Sequence, residues 1–147
     1  MKPWQSIAVA VSATILSWGA AASAQAFNIM THSEDPLLSD EVLRSAVLQT
    51  AASVGNNIPD NPNVKVYVSS KARPTKLADG TYVYLHRIEL RRAFNAGPPY
   101  PYAGWLPVES REEYGVGGPE EVRAKLDQAL RDFFTQLKQD DPQTGFK

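Results

Sequence analysis

The sequence predicts a small α+β domain in which two helices pack on one face of a three- to four-stranded antiparallel sheet, in the order α-β-β-β-α. Three observations predict it. Apolar residues recur at helical spacing in two segments, one near each end of the chain. Val64, Val66 and Val68 alternate strictly with polar neighbours, the mark of a half-buried strand. The strand-forming stretches follow one another with only turn formers between them, which suits antiparallel neighbours rather than helical crossovers.

The chain has 147 residues. It opens on one basic residue, Lys2, an apolar run from Ile7 to Trp18, and small residues to Ala26. That order is the layout of a secretory signal, and its apolar core is short for a bilayer span, which takes ~18 or more residues. Residues 1–26 are therefore expected to be a cleaved signal peptide, with cleavage after Ala24 or Ala26. An Ala-rich signal of this kind suggests a bacterial, periplasmic destination. No later stretch is apolar enough to suggest a transmembrane segment.

Residues 27–35 (FNIMTHSED) keep no sustained period and are expected to form an extended N-terminal arm. Residues 36–141 make the domain, and 142–147 a frayed C-terminus. Helix one is expected at about 36–54: Asp35-Pro36 or Ser39 with Asp40 and Glu41 supplies the start, and Gly55 the stop. Turn formers fill 55–63, and the valine strand follows. Asp79-Gly80 closes the next turn.

The stretch TYVYLHRIELRRAF then looks like a long strand with a slipped phase, since Val83 and Leu85 share one parity while Ile88, Leu90 and Phe94 share the other. A bulge near His86 and Arg87 would restore one buried face and is preferred to the alternative of a strand covered on both faces. WLPVES is a short third strand that Pro107 confines to an edge or a bulge, and EEYGVGG reads as a turn. Helix two, 119–139, begins at Pro119 with Glu120 and Glu121 in its first turn. It carries Val122, Leu126, Ala129, Leu130, Phe133 and Leu137 as one stripe.

Cysteine is absent, which removes disulfides, a lipidated N-terminal cysteine and thiolate chemistry. The two histidines, His32 and His86, stand near no nucleophile elbow, so a serine hydrolase is not expected. Met30, His32, Glu34 and Asp35 offer mixed ligands without a framework to hold them, and neither metal nor cofactor is implied. Charge runs in blocks: residues 27–63 sum to −4, 64–92 to +5 and 93–147 to −3. A basic sheet face beside acidic helices explains this, and nucleic acid is not an expected partner.

The stretch GPPYPYAGW, residues 97–105, is the best surface candidate. Its prolines hold Tyr100 and Tyr102 with little ordering cost on binding, and Trp105 either starts the next strand in the core or joins the contact. The expected binding residues are Pro98, Pro99, Tyr100, Tyr102 and Trp105, with Arg87, Arg91 and Arg92 for charge complementarity. The expected function is a non-enzymatic periplasmic binding or accessory protein contacting a larger envelope protein or complex. Two alternatives are an anionic lipid, lipopolysaccharide or glycan binder in peripheral contact with the envelope, and a small carboxylate-based hydrolase using Glu89 with Glu109 or Glu112.

Overall fold

In a computed structural model of the chain, the described residues are 27–55, 58, 61–99 and 103–140. The signal segment and the 142–147 tail lie outside them.

The elements run β1 (Asn28–Glu34), α1 (Asp40–Val54), β2 (Val64–Pro74), β3 (Tyr82–Asn95), β4 (Ala103–Gly117) and α2 (Pro119–Asp140). The sheet order is β1-β2-β3-β4. The α+β class stands, but the sheet is mixed and the element order is β-α-β-β-β-α. Residues expected to be an arm form β1, which pairs parallel to β2 with Met30 opposite Tyr67. The remaining pairs are antiparallel.

Of the two expected starts of α1, the structure uses the later one, at Ser39. Asp35 accepts a hydrogen bond from the Leu37 amide at 2.7 Å, a side-chain turn that holds Pro36 and Leu37 out of the helix. Ser39 then caps it, its Oγ accepting from Val42 N at 3.4 Å. Gly55, at φ 91°, ends it by donating its amide to the Ala51 carbonyl at 3.1 Å. A left-handed φ of this kind favours glycine.

Both helices lie against one face of the sheet. Leu43, Val47 and Ala51 from α1 and Val122, Leu126, Ala129, Leu130, Phe133, Phe134 and Leu137 from α2 are buried there with Val64, Val66, Val68 and Ala72 of β2 and Tyr84, Ile88 and Leu90 of β3. Phe27 is also buried, its ring centroid 6.4 Å from that of Phe134.

Strand β3 needs no bulge at His86 and Arg87. Its register with β2 is continuous from Tyr82 to Arg92, because His86 and Tyr84 themselves occupy the buried face with Ile88 and Leu90. The irregularity falls instead at Leu90 and Arg91, whose partners on β4 are Glu109 and Pro107, so that Val108 is the extra residue. Strand β4 also runs on through EEYGVG to Gly117 rather than turning.

Candidate functional site

Ladder partners in a sheet point to the same side, so the register defines a second face that no described helix covers. Along β2 it carries Lys65, Tyr67, Ser69 and Lys71. Opposite them on β3 stand Arg91, Glu89, Arg87 and Leu85, and beyond those on β4 Pro107, Ser110, Glu112 and Tyr114. Met30, His32 and Glu34 complete it on β1.

The centre of this face is a pre-ordered polar and aromatic cluster. The Arg91 guanidinium carbon lies 3.6 Å from the centroid of the Tyr67 ring, while its Nε donates to Glu89 Oε2 at 2.5 Å. Glu89 also faces Arg87 at 3.9 Å and is itself buried, 7% exposed. Arg87 donates from Nε to Glu112 on β4 at 2.6 Å. Stacking and ion pairing together limit the freedom of both arginines, which lowers the entropy lost when a partner binds.

Toward the β3–β4 hairpin, Lys65 places its ammonium 3.8 Å from the Trp105 ring centroid and 3.4 Å from Met30 Sδ. Burial among these side chains, helped by repulsion from Arg91, pulls the Lys65 ammonium below its ordinary pKa. At the opposite end of the face, Val83 pairs with Val116 and Leu85 with Tyr114. Tyr114 is 77% exposed. The uncovered face therefore has a charged centre between two ends that carry exposed apolar side chains.

The expected binding residues separate. Arg87, Arg91 and Trp105 come together on the uncovered face. Trp105 is 37% exposed rather than packed beneath α2. Arg92 pairs with Val64 and Leu106, placing it on the helix side, where it lines a groove with Phe94, Leu106 and Val108. Pro98 and Pro99 are joined by a cis peptide bond in the hairpin turn. Tyr100 and Tyr102 lie outside the described residues. The carboxylates weighed for hydrolysis also divide: Glu112 shares a face with Glu89, whereas Glu109, opposite Leu90, does not.

Sequence reasoning missed Tyr67 and Lys65 as members of this surface. The signal was present, since the same alternation that buries Val64, Val66 and Val68 turns Lys65 and Tyr67 outward.

It also missed a buried polar chain. Ser70 Oγ lies 2.7 Å from Asp35 Oδ2 and 2.9 Å from His86 Nδ1, and His86 Nε2 lies 2.9 Å from the Val122 carbonyl. The residue types are those of a hydrolytic triad, but the order is not. Here the serine stands between the acid and the histidine instead of at the end of the relay. Ser70 and His86 have no exposed surface, so the hydroxyl has no substrate to reach. Burial pushes the His86 imidazole below its ordinary pKa, against the opposing pull of the Val122 carbonyl, Asp35 and Glu113.

Among the described residues no helix is long and apolar enough to cross a membrane, and no group of three or more His, Cys, Asp or Glu is placed to hold a metal ion. Met30, His32 and Glu34 project from β1 on the uncovered face, and Asp35 turns inward to Ser70.

A scan against protein families and a search of curated proteins each returned no match. Among solved structures the chain shows a weak likeness to one described as a "putative lipoprotein from Caulobacter crescentus CB15", with 14% identity, 81% of this chain and 92% of that chain covered, and a TM-score of 0.25.

Proposed function

We propose that this chain is an exported, non-enzymatic accessory protein that docks onto a larger protein of the bacterial envelope through the uncovered face of its sheet. The observation that carries the reading is the pre-ordered Tyr67, Arg91, Glu89 and Arg87 cluster flanked by exposed Trp105 and Tyr114. Tyr, Trp and Arg are the side chains that most often anchor protein interfaces. The N-terminal signal pattern supports export to the periplasm.

The same ion pairs weigh against an anionic lipid or glycan as the principal ligand. Arg87 and Arg91 already face Glu112 and Glu89, so the centre of the face does not offer a block of uncompensated positive charge. They also weigh against a hydrolase, because Glu89 is held as an ion-pair acceptor between two arginines.

Site-directed photo-crosslinking in the native envelope tests this reading. With the crosslinker at Trp105 or Tyr114, a single protein adduct is expected. With it at Gln128, on the exposed side of α2, none is expected. Adducts from Gln128 alone, or salt-sensitive binding to anionic vesicles with no protein adduct, would sink it.

A further inference from the structure

The buried chain between Asp35 and Val122 has a proton-counting problem. It contains three links: Asp35 to Ser70, Ser70 to His86, and His86 to the Val122 carbonyl. Each link needs one hydrogen. A carbonyl and a carboxylate bring none, the hydroxyl brings one, and a neutral imidazole brings one. Two hydrogens cannot make three bonds. With Asp35 ionised and His86 neutral, an Nε2–H ring serves Val122 and leaves the single Ser70 hydrogen to choose between Asp35 Oδ2 and His86 Nδ1. An Nδ1–H ring instead serves Ser70 and leaves Nε2 facing the Val122 carbonyl. One close contact is then a pair of facing acceptors in a site with almost no access to water.

We propose that Asp35, Ser70 and His86 jointly hold one additional proton at neutral pH, and that this proton closes the hydrogen-bond chain that fastens the start of α1 to β2, β3 and the first turn of α2. Two arrangements satisfy all three links. In one, the carboxylic acid donates to Ser70, Ser70 donates to Nδ1, and Nε2–H donates to Val122. In the other, an imidazolium donates from both nitrogens and Ser70 donates to an ionised Asp35. They bind the same number of protons, so the titration belongs to the group and not to one member. Burial of His86 disfavours the imidazolium of the second arrangement.

Tyr84 on β3 stacks on His86 with centroids 5.1 Å apart, and Glu113 on β4 is its direct ladder partner. From α2, Lys125 approaches Glu113 at 3.8 Å, and Glu121 acts on Tyr84. Arg111, the next residue on the same side of β4, is held by Asp132 at 2.6 Å. The Glu113 charge favours retention of a proton on the chain, and Lys125 offsets part of it. On the Asp35 side, the Leu37 amide donates to the other carboxylate oxygen. Loss of the proton opens one of the three links: the bond of Asp35 to β2, the side-chain bond between β2 and β3, or the bond of β3 to α2. This inference stands independently of the docking reading.

Asp35→Asn supplies the test, because an amide can donate to Ser70 with no extra proton while its oxygen still accepts from Leu37. The folding equilibrium constants of the native protein and the variant would be measured by urea unfolding at intervals from pH 5 to pH 7. Unfolded Asp, with a pKa of about 3.9, is ionised across this range, and unfolded His86 titrates identically in both chains and cancels.

If the native fold holds one more proton than the variant fold, its stability relative to the variant falls as pH rises, by about tenfold in the ratio of constants per pH unit. A flat ratio overturns the proposal. Should the variant fail to fold, nitrogen and carbon NMR shifts of His86 and of the Asp35 carboxyl in the native protein at pH 7 decide instead. A protonated carboxyl or a doubly protonated ring supports the proposal, and a neutral ring beside an ionised carboxylate overturns it.

Discussion

Trp105 sits on an edge strand with its ring under Lys65, so removing it takes away contact area and one cation–π pair but no core. Trp105→Ala should therefore change stability by at most about 1 kcal/mol. Leu126→Ala, in a side chain 1% exposed, should cost about 2–5 kcal/mol. Urea melts of the two variants check the pair. A large loss at Trp105 would place that ring in the core after all. The aromatic stretch was legible in the sequence, but the direction of its tryptophan was not. A strand shows one side chain to each face, and which face receives Trp105 depends on the register with Ala93 across the ladder. The bulge expected near His86 and Arg87 failed for a related reason: Val83 and Leu85 lie on the uncovered face, and the partners Ser70 and Val122 make an inward His86 tolerable.

At the scale of elements, α2 and the valine strand follow periods that any reading of the chain recovers. Strands β1 and β4 do not. Strand β1 turns Ile29, Thr31 and Ser33 toward the helices, a weakly apolar set, and its parallel pairing leaves no hairpin turn to read. Strand β4 was hidden by its glycines. Gly115 lies opposite Tyr84, and a Cβ there would meet the Tyr84 hydroxyl at 2.7 Å. The glycine makes room for a buried ring and does not bend the chain. Gly115→Ala should thus destabilise by about 1–3 kcal/mol, since Tyr84 is too enclosed to move aside. Gly118 caps α2, its carbonyl accepting from Val122 N at 3.0 Å, and a Cβ there meets nothing within 4 Å. Gly118→Ser should be neutral or stabilising by about a few tenths of a kcal/mol. Thermal unfolding of the two single variants measures both signs.

For the whole molecule, the alternation of acidic, basic and acidic segments anticipated a neutralised surface but not the way it is built. Arg87 and Arg91 find their acids within the sheet, at Glu112 and Glu89, while Arg111 of β4 reaches Asp132 on α2. Sequence blocks record how charge is distributed along the chain, and ladder pairing redistributes it across the molecule. The mixed sheet has a consequence for kinetics. Pairing of β3 with β4 closes from Asn95 and Ala103, eight positions apart, whereas β1 reaches β2 only across α1, from Asn28 to Lys65. Closing the longer loop costs more entropy before any contact repays it. The meander of β2, β3 and β4 should therefore assemble on the way to the folding barrier, with β1 zipping on afterwards. Ile88→Val is expected to slow refolding, and Ile29→Ala chiefly to speed unfolding, in stopped-flow chevrons. Of the four described strands, the one that leaves the ribosome first is then the last to be locked in place.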